Sequence, residues 1–158
     1  MGNGKTAKYS RIPSESELEG FTGMHCARIY KSAVAAGWCC PSCGRSAREL
    51  VRWTEIRGRG WRERFGDEHG MGFSISMTHH HCHGVGRFPR TLICGDCNSA
   101  DGAVKRKLRL PQAWSFSPAE IGRFVSVVPH SGATVIDYEK AKRIFEEAHR
   151  PAGLFWQD

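Results

Sequence analysis

Cys40-Pro-Ser-Cys43 and Cys94-Gly-Asp-Cys97 are two C-x-x-C pairs separated by 50 residues. Each pair can offer two thiolates from one tight turn, and two such pairs complete the tetrahedral four-sulfur shell that structural zinc prefers. A closed shell leaves no position open for water, so the expected zinc holds the fold and does no chemistry. A redox C-x-x-C belongs beside a βαβ pattern, which is absent from the sequence. Cys39 adjoins Cys40 and leaves the register of the first pair open, while Cys26 and Cys82 lack a paired partner and read as buried or incidental thiols.

His79-His80-His81-Cys82-His83 holds four of the chain's eight histidines. Imidazole titrates near neutrality, which suits proton transfer, and it is also a metal ligand. A zinc deaminase would need H-x-E followed by P-C-x-x-C, and neither occurs.

The elements that must position these groups can be read around them. FSISMTHHH alternates Phe73, Ile75 and Met77 against Ser74, Ser76 and Thr78, which predicts a strand with one buried face. A turn with Gly84, Gly86 and Pro89 follows, then a return strand at RTLIC, then a helix over NSADGAVKRKLRL that ends before Pro111. Upstream, GMHCARIYKSAVAAGW predicts a short helix stopping at Gly37, and residues 1–20 predict a polar arm. Residues 52–72, rich in Gly and Arg with two Trp, predict a long basic loop or ribbon. Ser117, Pro118 and Glu120 fit the start of a helix over SPAEIGRFVSVV, and Asp137 similarly caps YEKAKRIFEEAHR.

A strand, a His pair, a second strand and C-x-x-C-N leading into a basic helix resemble the HNH, or ββα-metal, nucleases. The likeness is greatest to the recombination endonuclease VII group, and it runs through His80-His81-Cys82-His83, the stretch from Thr91 to Gly102, and Lys105-Arg106-Lys107. The upstream Cys40–Cys43 pair fits as well, so the resemblance covers about residues 39–110. It implies an α+β fold in which a small ββα-metal core carries a four-Cys zinc staple, Cys40, Cys43, Cys94 and Cys97, with flanking helices. It implies His80 as a ligand of the catalytic metal, His81 as general base and Asn98 as second metal ligand. A base must take a proton from water and a cation must offset charge on the phosphate, so the implied chemistry is phosphodiester hydrolysis. A hard ion such as Mg²⁺ keeps several waters and needs few protein ligands.

Three departures from the family pattern stand out. His80 replaces the Asp that is first ligand in the endonuclease VII group, which favours Mn²⁺, Co²⁺ or Ni²⁺ over Mg²⁺. The middle Asn of the HNH signature is missing between residues 84 and 93, so the base must be oriented by another group such as a backbone carbonyl. Gly102 occupies the place of a further His ligand in many HNH enzymes, and Asp101 is the acidic residue that could assist there. Consecutive histidines also leave the ligand and base roles open to a one-residue slip towards His79 and His80, because successive strand residues face opposite ways.

The chain has 158 residues and a formal charge of +7, with pI near 9.2, which favours a polyanionic partner. Arg57, Arg59, Arg62 and Arg64 combine guanidinium forks with glycines that let a backbone approach, and so are candidates for phosphate or guanine contact. Arg87, Arg90 and Lys105 are further DNA-contact candidates, while Trp114, Phe116, Phe155 and Trp156 read as core or dimer contacts. Without a secretory signal or an apolar run near the length of a membrane span, the reading is a cytoplasmic, bacterial or phage-encoded chain with no membrane partner. Its expected division is an N-terminal arm and helix at 1–38, a nuclease core at 39–110 and a helical extension at 111–158. The expected function is metal-dependent cleavage of double-stranded DNA by a restriction-type or defence homodimer, using structural Zn²⁺ and a catalytic Mg²⁺ or Mn²⁺. The alternatives are a branched-DNA resolvase like endonuclease VII and a non-catalytic zinc module that only binds nucleic acid.

Overall fold

The computed structural model of the chain describes residues 12–20, 25–57, 69–82, 84, 86–128 and 133–150. It contains helices and small two-stranded antiparallel sheets and divides into two compact units. One unit comprises Met1–Cys39 and Arg45–Ser76; the other comprises Cys40–Gly44 and Met77–Asp158. This differs from the expected boundaries. Residues 45–76 group with the N-terminal segment rather than with a core at 39–110, and residues after 110 share the second unit.

In the first unit, α1 (Glu15–Gly20) occupies part of the expected arm. Ser14 and Glu17 explain its start: the Glu17 N–H donates to Ser14 Oγ at 3.3 Å and the Ser14 N–H donates to Glu17 Oε2 at 2.8 Å, the reciprocal bonds of a capping box. The expected helix before Gly37 is α2 (His25–Ala35), followed by α3 (Ala47–Leu50). The basic segment forms a ribbon at its two ends: β1 (Arg52–Arg57) pairs antiparallel with β2 (His69–Ser74), from Arg52 opposite Ser74 to Arg57 opposite His69. Buried Leu18 and Val51, with Tyr30 and Trp53 packed on them, form an apolar cluster of this unit.

The second unit carries β3 (Met77–His80), β4 (Thr91–Cys94) and α4 (Gly95–Leu108), then α5 (Pro118–Phe124), β5 (Val125–Val127), β6 (Thr134–Ile136) and α6 (Tyr138–Ala148). β3 and β4 are antiparallel, with Met77 opposite Cys94 and His80 opposite Thr91. The expected single strand through FSISMTHHH is therefore broken at residues 75 and 76, and its two halves lie in different sheets. Side-chain parity does not carry across that break: His80 is buried, whereas His79 and His81 are exposed. The helix expected over SPAEIGRFVSVV ends at Phe124 because the β-branched Val125 and Val127 pair with β6 instead. Both expected caps are present, a capping box at Ser117 and Glu120 and an Asp137 side chain accepting from the Lys140 N–H at 2.9 Å.

Ile93, Val104, Phe116, Ile121, Phe124, Ala141 and Ile144 are buried and form the apolar interior that holds these elements. Trp114 meets Phe116 and Phe145 edge-on, at ring separations of 4.5 and 5.0 Å, so it is a packing residue as its sequence context suggested. Phe155 and Trp156 lie outside the described residues.

One close approach links α5 to the first Cys turn. A Cβ on Gly122 would collide with the carbonyl oxygen of Ser42, between Cys40 and Cys43. Gly122→Ala is accordingly expected to destabilise the chain by about 1–3 kcal/mol through overpacking, since the obstacle is main chain rather than a movable side chain. Chemical denaturation checks this, and a variant as stable as the parent would show that the turn can retreat freely.

Candidate metal centre

Cys40 and Cys43 sit on a turn closed by the Gly44 N–H donating to the Cys40 carbonyl at 2.8 Å, with Gly44 in the left-handed region at φ 76°. Cys94 is the last residue of β4 and also the N-cap of α4: its sulfur accepts from the Cys97 N–H at 3.4 Å, one turn into the helix. The Cys94 N–H donates to Cys40 Sγ, also at 3.4 Å. The four sulfurs of Cys40, Cys43, Cys94 and Cys97 lie within 4.8 Å of one another, close enough to hold a metal ion such as zinc. The Cys43–Cys94 separation of 3.8 Å matches the edge of a tetrahedron with metal–sulfur bonds of about 2.3 Å. Cys39 is exposed and outside the cluster, which fixes the register on Cys40.

The charge arrangement suits a cation. Hydrogen bonds from the Cys94 and Cys97 thiols lower the pKa of Cys40, while the same pairing, with burial, pushes Cys94 up to about 12 and raises Cys97. Several buried thiols cannot all ionise together without a positive charge among them. The positive end of α4 also faces the thiolates of its first turn.

The helix next presents Asn98, Asp101 and Lys105, spaced along one stripe. His80, 3 % exposed, meets that stripe: its Nδ1 lies 3.1 Å from Asn98 Oδ1, and its Nε2 lies 2.7 Å from the Phe116 carbonyl oxygen. A carbonyl can only accept, so Nε2 donates to it, and the second ring nitrogen, Nδ1, is paired with the Asn98 side-chain amide. Phe88 stacks on the ring at 5.2 Å and limits its rotation. The 3.1 Å separation of Nδ1 and Asn98 Oδ1 is also the spacing of two ligands that stand about 2.1 Å from one ion at a right angle.

His81 follows β3, is exposed, and has Nδ1 at 3.4 Å from the His79 carbonyl oxygen. Both Asp101 oxygens are engaged by protein groups. Its Oδ1 accepts from the Phe116 N–H at 2.8 Å and its Oδ2 pairs with Lys105 Nζ at 2.9 Å.

The expected DNA contacts fare differently. Lys105 is buried, donating also to Ser115 Oγ at 3.1 Å, and does not present its charge outward. Arg87 is likewise engaged: its guanidinium donates to both Glu120 oxygens, at 2.8 and 3.1 Å, and to the Ser115 carbonyl. Arg90 is exposed, as are Arg106, Lys107 and Arg109 on the later part of α4 and its cap. Arg59, Arg62 and Arg64 lie outside the described residues, and Arg57 ends β1 without a described side chain. The Phe116 carbonyl, Ser115 and Glu120 were missed as site-forming groups. Glu120 was visible only as a helix cap.

Comparison with protein-family models, with curated proteins and with solved structures found no significant match.

Cys43→Ser or Cys97→Ser is expected to unfold the chain or make it aggregate, because metal binding to such a site contributes folding free energy on the order of 10 kcal/mol. Elemental analysis should give about one zinc per parent chain, as four thiolates complete one shell. A well-folded Cys43→Ser/Cys97→Ser variant would sink the structural role. A second prediction concerns pH. Burial raises the Glu120 pKa, but bonds from Arg87 and from Ser117 outweigh it and leave the carboxyl below its ordinary value. Its contribution is therefore present above the unfolded-state pKa and lost as pH falls through the lower folded-state pKa. The stability gap between parent and Glu120→Gln should hold down to about pH 5 and narrow as pH falls below the ordinary carboxylate range, measured by urea unfolding.

Proposed function

We propose that the β3–β4–α4 segment is a ββα-metal, HNH-type core and that the protein is a metal-dependent endonuclease cutting duplex DNA. The observation that carries this reading is the His80 imidazole, buried with its Nε2 donating to the Phe116 carbonyl and its Nδ1 3.1 Å from Asn98 Oδ1, a pair of atoms that could share one cation. Metal-bound histidines characteristically donate their other ring N–H to such an acceptor, which fixes the tautomer. His80 and Asn98 would hold a divalent cation, Mn²⁺ or Mg²⁺, whose part is to offset charge on the phosphate and on the departing oxygen.

His81, next in sequence and exposed, takes the proton from the attacking water, with its ring steered by the His79 carbonyl. The four-Cys cluster, read here as a structural zinc site, sets the start of α4 and therefore the position of Asn98 one residue beyond Cys97. Arg90, Arg106, Lys107 and Arg109 supply phosphate contacts, consistent with the net charge of +7. A restriction-type or defence enzyme acting as a homodimer is the form favoured, because one such site cuts one strand and a two-fold pair cuts both.

His81→Ala should slow cleavage by about 10²- to 10⁴-fold while leaving Mn²⁺ and DNA binding intact. His80→Ala and Asn98→Ala should lose Mn²⁺ binding as well. The assay is digestion of a plasmid and of a synthetic four-way junction, with sequenced ends. Cuts at a short palindrome support the restriction-type reading, and cuts that cluster at branches regardless of sequence would replace it with a resolvase. Binding without any cleavage by the zinc- and Mn²⁺-loaded protein would leave a zinc module that only binds nucleic acid.

A further inference from the structure

The peptide group joining Phe116 to Ser117 is held from both ends. Its carbonyl accepts from His80 Nε2 at 2.7 Å, and its N–H donates to Glu120 Oε2 at 2.8 Å. Glu120 is itself gripped by Arg87 through two guanidinium nitrogens, and Arg87 lies over the Trp114 ring at 4.4 Å. A capping box accounts for the bond between Glu120 and Ser117. It does not account for the arginine fork behind the carboxylate or for the buried imidazole in front of the peptide. Bonds in such a chain polarise one another, so a carboxylate on the N–H side strengthens the carbonyl as an acceptor for the imidazole proton.

We infer that Glu120 is a positioning residue for the metal-binding imidazole of His80, acting through the Phe116–Ser117 peptide group, and that Arg87 serves the site by holding Glu120. The inference rests on the nuclease reading, since it assigns His80 to the cation. It also gives Arg87 a role other than contact with DNA. The arrangement is a carboxylate–histidine–metal relay with one peptide group inserted between carboxylate and ring. Asp101 supports the neighbouring peptide in the same way, accepting the Phe116 N–H with Lys105 behind it. The main chain that His80 meets is thus clamped by carboxylates from α4 and α5.

The test is a Mn²⁺ titration of the zinc-loaded full chain, with nitrogen NMR of the His80 ring before Mn²⁺ is added. The parent should show the Nε2–H tautomer. Glu120→Ala should weaken Mn²⁺ binding about 10-fold and mix the two tautomers. Glu120→Gln, which keeps an acceptor for the Ser117 N–H, should restore most of both. Parent-like Mn²⁺ affinity and an unchanged tautomer in Glu120→Ala would overturn the inference. Should that variant fail to fold, the parent still decides: an Nδ1–H tautomer in the folded protein breaks the relay. If His80→Ala binds Mn²⁺ as the parent does, the nuclease reading fails and takes this inference with it. That result is distinct from a site that needs His80 but is indifferent to Glu120.

Discussion

The first turn of α4 is the reference point of the second unit. Cys94 ends a strand, caps the helix with its sulfur and belongs to the four-thiol cluster, so the direction of β4, the start of the helix and the position of the Cys40–Gly44 turn are set by one small group of atoms. Asn98 follows Cys97 directly, and Asp101 and Lys105 continue along the helix at spacings of three and four residues. A shift of one position in the helix start would rotate Asn98 by about 100° away from His80. The thiol cluster and the contact between Asn98 and His80 are coupled by that geometry.

The interior beside this turn is unusually polar. Asp101, Lys105 and Ser115 are all buried, and each has a partner in the same network. A buried ion pair is weak support for stability, because desolvating both charges offsets most of their attraction. What this pair does visibly is fix residues 115 and 116, where the Asp101 carboxylate takes a main-chain N–H and Lys105 takes a hydroxyl. Removing either charge alone would leave the other buried and uncompensated, so the two residues are constrained as a unit. Arg87 and Glu120 form a second ion pair against the same stretch, less buried and reinforced by the indole of Trp114.

The parts of the site defined by local spacing were legible in the sequence. The two C-x-x-C pairs brought together the cysteines that cluster, and the capping residues at Ser117 and Asp137 marked helix starts that the structure has. His80 and Asn98, paired in sequence by a family likeness, do meet in space. The strand through Phe73 and His81 was less legible because alternation continues through residues 75 and 76, and periodicity does not register a change of sheet. Lys105, expected as a DNA contact, is buried instead, and its place four residues after Asp101 on the stripe that begins at Asn98 is a spacing that could have signalled the pair. The Phe116 carbonyl had no sequence signal, since any residue type offers the same oxygen. Arg87 and Glu120 meet across 33 positions, and no local rule joins them.

The placement of the Cys40–Gly44 turn affects the order in which the chain can be built. It interrupts the first unit in sequence but belongs to the second, and the other two cysteines of the cluster follow after 50 intervening residues. On a ribosome adding about 5–20 residues per second, several seconds pass between the emergence of the first thiol pair and that of the second. During that interval the nascent chain carries two sulfurs with an incomplete shell, exposed to oxidation and to exchange with other thiols. Capture of an ion by all four thiols would therefore be a late event in biosynthesis, and the redox state of the compartment while the chain is being made would govern how many molecules reach it.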